Sequence, residues 1–268
     1  MASAPCQRLA VQIDHFTAQG GRSTQEDRVF LHLIQDAAGE PLAYFIAILD
    51  GHGGIETVDA LLEMLPHSMP AFEYALLTGN VPMTQILENM CATLFSGTQQ
   101  FVAGSTLTCA LIDVHTKRMY AANLGDSVLM LARQGQVSFA THPHNARMHS
   151  TDRLELIARG AVWDEKEGYI CNGPYSIQCS RALGDKLIPQ LIRTPDVFTL
   201  NLKQGDTIMF ATDGVITTND DESYVDELIY FSKMLEDDEK LTAEELTYLG
   251  MEIRRASDNA TTILVHIK

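Results

Sequence analysis

The chain has 268 residues, 46% of them hydrophobic, enough to bury a sizeable core and near the upper end for one domain. Its formal net charge of −16 argues against nucleic acid or an anionic membrane as a partner. No apolar run is long enough to span a bilayer, and Met1 to Cys6 lack the parts of a secretory signal, so a cytoplasmic setting is expected.

In chain order, strands are predicted at Leu9–Ile13, Val29–Ile34 and Leu42–Leu49, short segments rich in β-branched and aromatic residues. A helix follows Gly54, where Val58, Leu61, Leu62 and Leu65 recur at helical spacing, and another occupies Met83–Phe101. Strands return at Thr106–Asp113, Arg118–Asn123 and Val128–Ala132, with hairpin turns at 113–117 and 133–136 that favour antiparallel sheet. A short helix is expected over Thr151–Ala158, opened by Thr151 or Asp152 and closed at Gly160. After a strand at Asp206–Ala211 come two acidic helices, Glu222–Leu235 and Thr242–Arg255, the second with capping-box spacing from Thr242 to Glu245. Their acidic runs read as solvated faces. A last strand is predicted at Thr261–Ile267.

Strands and helices without regular alternation point to an α+β chain with sheet packed on sheet and helices outside. With no linker or repeat, residues 1–268 read as one domain. Five cysteines (Cys6, Cys91, Cys109, Cys171, Cys179), odd in number and without C-x-x-C spacing, indicate neither a disulfide framework nor a thiolate zinc site.

The chemistry concentrates where apolar runs end. Tyr44–Leu49 delivers Asp50, followed at once by Gly51-His52-Gly53-Gly54, and Thr207–Ala211 leads to Thr212-Asp213-Gly214. Asp258-Asn259 opens the last strand, and Glu26-Asp27 lies upstream beside Arg22. A carboxylate at Asp50 has an oxygen for each of two ions, and Gly51 exposes a carbonyl with no side chain in the way. Asp213, Asp258 and Glu26 add further carboxylates. Oxygen donors without His or Cys select Mg²⁺ or Mn²⁺ over zinc, and a pair of such ions activates water and orients a phosphoryl oxygen. A single D-G is more often a turn; the ordered set carries the argument.

These residues, with Gly104-Ser105-Thr106, Asn123-Leu124-Gly125-Asp126-Ser127 and Ser180-Arg181-Ala182-Leu183-Gly184-Asp185, occur in the order found in the metal-dependent serine/threonine protein phosphatases of type 2C, the PPM family. The chain resembles that family from about residue 9 onward. The resemblance implies an α-β-β-α sandwich of two mainly antiparallel sheets flanked by helices, with a dinuclear Mn²⁺/Mg²⁺ site at one end. It implies that Asp50 bridges both metals, that Asp213 and Asp258 bind the first, and that Glu26 and the Gly51 carbonyl bind the second. Asp27 is implied to hold water in the outer shell, Arg22 to bind phosphate through its planar fork, and Asp126 to help bind a weaker third metal. His52 is implied to protonate the departing alkoxide; a structural histidine bonded to a carboxylate is the other reading. Phosphorylated proteins are the implied substrates, acted on by a monomer.

Three positions depart from the family pattern. Thr217 stands where an aspartate helps bind the third ion, so that ion should be weak or absent; Val128 and Ile216 replace a frequent arginine and tryptophan. A regulatory pseudophosphatase and a phosphatase for small metabolites are the alternatives. His142, His144 and His149 suggest a zinc site, but the resemblance puts them in a polar, mobile flap with no nearby carboxylate to complete the ligand set. Arg181 and Asp185 are expected to fix the flap and sheet.

Overall fold

The computed structural model describes residues 8–238, 240–255 and 257–268; Met1 to Cys6, and the expectation made from them, lie outside the described residues. The chain opens with β1 (Val11–Ala18), β2 (Arg28–Gln35), β3 (Pro41–Leu49) and the two-residue β4 (Gly51–His52). Three helices follow, α1 (Glu56–Met64), α2 (Met69–Thr78) and α3 (Met83–Thr98), then β5 (Gly104–Ser105), β6 (Leu107–Asp113), β7 (Arg118–Leu124), β8 (Val128–Arg133) and β9 (Gln136–Ala140). A flap holds α4 (Ser150–Ala158), β10 (Val162–Asp164), β11 (Tyr169–Asn172) and β12 (Tyr175–Ile177). The remainder is β13 (Leu183–Gly184), β14 (Asp196–Asn201), β15 (Thr207–Ala211), α5 (Asp221–Asp237), α6 (Ala243–Arg254) and β16 (Ala260–Ile267).

Two five-stranded sheets result, ordered β1-β16-β15-β8-β9 and β14-β7-β6-β3-β2, each antiparallel throughout. Successive strand residues face opposite ways, and both faces are covered. Ile46 and Ile48 point between the sheets to meet Ile208, Phe210, Ile263 and Val265. Phe45, Ala47 and Leu49 pack outward on Val58, Leu61, Phe72 and Leu87 of α1–α3. On the opposite side Met209, Ala211 and Leu264 pack on Tyr224, Leu228, Phe231 and Leu246 of α5 and α6. Central strands therefore read as unbroken apolar runs, each large side chain contributing about 1.5–3 kcal/mol of transfer free energy. This is the expected α-β-β-α sandwich.

Several boundaries differ from expectation. The first strand starts at Val11 and runs to Ala18, because β16 supplies partners for His15 and Thr17 as readily as for Ile13. The helix α2 was not predicted; Pro70 suggests a break, yet it sits in the first turn, where its missing N–H satisfies no helical bond anyway. The third helix ends at Thr98, short of Phe101. At α4 the cap is the His149 side chain, which accepts from the Asp152 N–H. The Thr242 capping box is present as expected.

The flap has a core of its own. Ala146, Leu156, Ile170, Ala182, Leu191 and Ile192 form a cluster separate from the three sandwich layers. The chain's single tryptophan, Trp163, packs on it with Arg153 5.1 Å over the ring.

Candidate metal centre

Asp50 leaves the end of β3 locked to the neighbouring chain: its carbonyl accepts from the Thr106 N–H (2.9 Å) and its N–H donates to Thr106 Oγ1 (3.2 Å). The next residue must be glycine, since a Cβ on Gly51 would lie 2.6 Å from the Glu26 carbonyl oxygen and 2.7 Å from Val58 Cγ1. Glu26 is held against the start of β16, its N–H donating to Asn259 Oδ1 (2.8 Å). The Asn259 amide in turn donates to the carbonyls of Gln19 (2.8 Å) and Thr24 (2.9 Å), which fixes the loop carrying Arg22 beside Asp258.

Glu26, Asp50, Asp126, Asp213 and Asp258 thereby line one cleft of about 590 Å³ together with Gly51. Arg22 and His52 line it too. Asp27 alone of the predicted set lies behind the lining, buried, with Oδ2 accepting from Thr261 Oγ1 (2.7 Å) and Thr212 Oγ1 (3.2 Å). Its Oδ1 is buried and has no partner among the described residues.

Gathering acids this closely raises their proton affinity. Burial lifts Asp27 to about 7, with Asp258 adding to the effect and the two threonine hydroxyls opposing it. Burial and then the Asp126 charge lift Asp213 to about 7. Asp50 is pushed well above the usual carboxylate range by burial, then by Asp27 and Asp213. Asp126 is raised by burial although the Cys179 thiol donates to its Oδ1 (3.0 Å). Repelling hard oxygen donors, an orphaned carboxylate oxygen and a bare glycine carbonyl fit hard divalent cations, which relieve that repulsion.

Two pairings were not foreseen. Arg22 Nη2 donates to Asp258 Oδ2 (2.6 Å), joining an expected phosphate ligand to an expected metal ligand. His52 Nε2 meets both oxygens of Asp185 (3.0 and 2.9 Å), so the carboxylate-bonded reading of that histidine has its partner. Burial lowers the His52 pKa, but Asp185 outweighs it and the value rises above that of an ordinary histidine. Asp185 thus does more than fix flap and sheet: it lines the cleft. The six-residue motif was visible, but its partner lies 133 residues away in sequence. Thr217 is not part of the lining; its N–H donates to Glu227 Oε2 (2.6 Å).

The histidine cluster is a correction. His144 is fully buried rather than displayed on a mobile flap, and carboxylates are close by. His144, His149 and Asp196 bring potential ligand atoms within 4.8 Å of one another. However, His144 Nδ1 accepts the Gly125 N–H (3.1 Å), so Nε2 carries the proton and donates it to Asp196 (3.1 Å). A nitrogen that donates is no metal ligand, and the group acts as a brace holding Gly125 beside Asp126. Arg181 does brace the flap, binding both Asp152 oxygens (2.7 and 2.9 Å) and Asp196 Oδ1 (2.7 Å).

Residues 11–259 match the family model for protein phosphatase 2C. Probable protein phosphatase 2C 3 of Paramecium tetraurelia is 31% identical over 93% of this chain and 90% of that protein. Among solved structures, the serine-threonine phosphatase 2C of Toxoplasma gondii superposes with a TM-score of 0.71 at 21% identity, covering 99% of this chain and 98% of that one. The catalytic domain of the serine/threonine protein phosphatase PstP, solved in complex with 2 manganese ions, superposes with a TM-score of 0.57 at 16% identity over 97% and 99% of the two chains.

Proposed function

This chain belongs to the protein phosphatase 2C family and is a metal-dependent serine/threonine protein phosphatase, and from there we propose that residues 1–268 form one catalytic domain that hydrolyses phosphoserine and phosphothreonine in proteins with Mn²⁺ or Mg²⁺. The observation that carries the proposal is the convergence of Glu26, Asp50, Asp213 and Asp258 on one cleft beside Arg22. In this reading Asp50 would hold both ions, Asp213 and Asp258 would hold the first, and Glu26 and the Gly51 carbonyl would hold the second. The pair of manganese ions named for the PstP structure supports that count. Asp126 would hold a third ion only weakly, because Thr217 brings no carboxylate to the cleft.

When bound, the ions supply an activated water and offset the charge of the phosphoryl group. The chain's own groups do the rest. Arg22 presents a planar fork to two phosphate oxygens and exchanges its contact with Asp258 for the ligand. Asp27 offers its free Oδ1 from behind the cleft to orient water. His52 gives a proton to the departing seryl or threonyl oxygen. The enzyme is proposed to work as a cytoplasmic monomer on phosphoproteins, without nucleic acid or membrane partners; among the described residues no helix is long and apolar enough to cross a membrane.

Asp50→Asn and Asp213→Asn are each expected to lower Mn²⁺-dependent phosphate release from a phosphothreonine peptide by at least about a hundredfold. Turnover at the unaltered rate in either variant would refute the assignment.

A further inference from the structure

The loop from Ala182 to Ile188 is built at some cost around a single contact. Asp185 has φ +50, a left-handed conformation uncommon outside glycine though less so for aspartate, and here neighbouring groups hold the loop in it. Arg193 supplies part of that hold, its guanidinium donating to the carbonyls of Ala182 (2.5 Å), Ile188 (3.2 Å) and Asp185 (3.4 Å) and lying 5.0 Å over the Phe95 ring. On the other side β5 pairs with both β4 and β13, so the backbones carrying His52 and Asp185 are stitched to one strand. Gly104 on that strand leaves the space the contact needs: a Cβ there would overlap the Asp185 carboxylate and His52 Nε2.

The carboxylate so delivered has one use. Asp185 is buried, and His52 is its only side-chain hydrogen-bond partner among the described residues. Nε2 of His52 points at it, while Nδ1 has no protein partner among the described residues and is not buried. We propose that Asp185 is a positioning residue for His52, holding Nε2–H so that Nδ1 is the nitrogen presented to the leaving oxygen of the substrate. The inference rests on the phosphatase reading above and names which face of the imidazole works.

The step it serves balances as follows. A water oxygen bonds to phosphorus as the bond from phosphorus to the seryl or threonyl oxygen breaks, and the electron pair of that bond stays on the departing oxygen. The Nδ1 proton of the doubly protonated ring moves to that oxygen and yields the neutral alcohol. One proton of the water remains on the product phosphate and the other passes to solvent, from which Nδ1 is reprotonated. Asp185 stays a carboxylate throughout and keeps Nε2–H, so the ring neither flips nor changes the nitrogen it offers. A positioned general acid contributes about 10²–10⁴ in rate, and only where the leaving group needs a proton.

That dependence gives the test, run on the Mn²⁺-loaded full chain with a phosphothreonine peptide and with p-nitrophenyl phosphate, whose stable phenolate leaves unprotonated. Asp185→Asn keeps the shape of the side chain and should lower kcat on the peptide at least about tenfold more than kcat on the aryl phosphate. Added to His52→Gln, it should cost little more, because the two residues act as one unit. Equal losses on both substrates, no loss, or fully additive losses would overturn the proposal. A wild-type chain inactive on both substrates with metal present would instead contradict the phosphatase reading. Nitrogen NMR of histidine-labelled wild-type protein decides the geometry without activity or an Asp185 variant, His52→Gln serving only to assign the signal. A proton on Nε2 of His52 supports the proposal, and a bare Nε2 with the proton on Nδ1 overturns it.

Discussion

Replacing Arg181 by methionine removes a largely buried cation while keeping most of the volume. In the native flap, Nε and Nη2 of Arg181 hold both oxygens of Asp152, whose side chain is 3% exposed, and Nη1 holds Asp196. Without Arg181 the Asp152 carboxylate keeps only the Ser180 hydroxyl (2.8 Å) as a side-chain hydrogen-bond donor, since His149 Nδ1 accepts the Asp152 N–H. Stranding one member of a buried ion pair costs about 3–5 kcal/mol. The Asp196 arm adds little, because its side chain is 41% exposed. The flap has its own apolar cluster, so the loss should appear as local opening before global unfolding. At about 1.4 kcal/mol per factor of ten, the opening constant rises by roughly two to three and a half powers of ten. Trp163 reports this directly, being the chain's only tryptophan and packed within the flap. In a urea titration of Arg181→Met, its fluorescence change and acrylamide quenching should come well before the loss of far-ultraviolet circular dichroism. Coincident transitions with a shift under about 1 kcal/mol would refute the reasoning.

The same flap should be acid-sensitive. For Asp152, burial raises the pKa but bonds from Arg181 and Ser180 outweigh it; for Asp196 the His144 bond leads, so both sit below the usual carboxylate range. A depressed carboxylate contributes stability that is fully present above its unfolded value, near ~3.9, and is lost as pH falls through the lower folded value. His149, which burial holds below the ordinary histidine value, adds a shallower loss as pH falls below about 6.5, so the Trp163 transition should be flat above about pH 7, weaken mildly toward about pH 5 and steeply below about pH 4; an unchanged transition at about pH 3.5 would contradict it. Gly104→Ala should reduce peptide turnover far more than it lowers the melting temperature, and full turnover would show that the crowding at His52 and Asp185 is harmless. Saturating Mn²⁺, about a hundred times its dissociation constant, should stabilise the chain by about 2.7 kcal/mol and raise its melting temperature by about 5–10 °C. An unchanged melt in millimolar Mn²⁺ would argue against a cation at the carboxylate cluster.

What could be read from the amino-acid order follows from range. Asp50 and Asp213 announce themselves because each follows a strand whose last five residues are buried, and burial on both faces leaves an apolar run leading to the carboxylate. The hairpins and the Thr242 box are equally local. The strands β14 and β10–β12 were missed because their residues are largely half-exposed and the flap strands span only three or four positions. The pairings Arg22–Asp258 and His52–Asp185 join positions 236 and 133 residues apart, and nothing in the spacing of either member names the other. The burial of His144 was missed for a similar reason, since nothing in the spacing of the histidines names Gly125 or Asp196 as partners.

The pairing of β1 with β16 sets Val11 opposite Ile267 and Ala18 opposite Ala260. One wall of the molecule is thus sealed by a strand from near each extremity of the chain, and Asp258 sits at the threshold of the later one. Bringing Asp258 to the cleft therefore depends on long-range closure of this seam, and removing β16 should abolish activity rather than merely lower it.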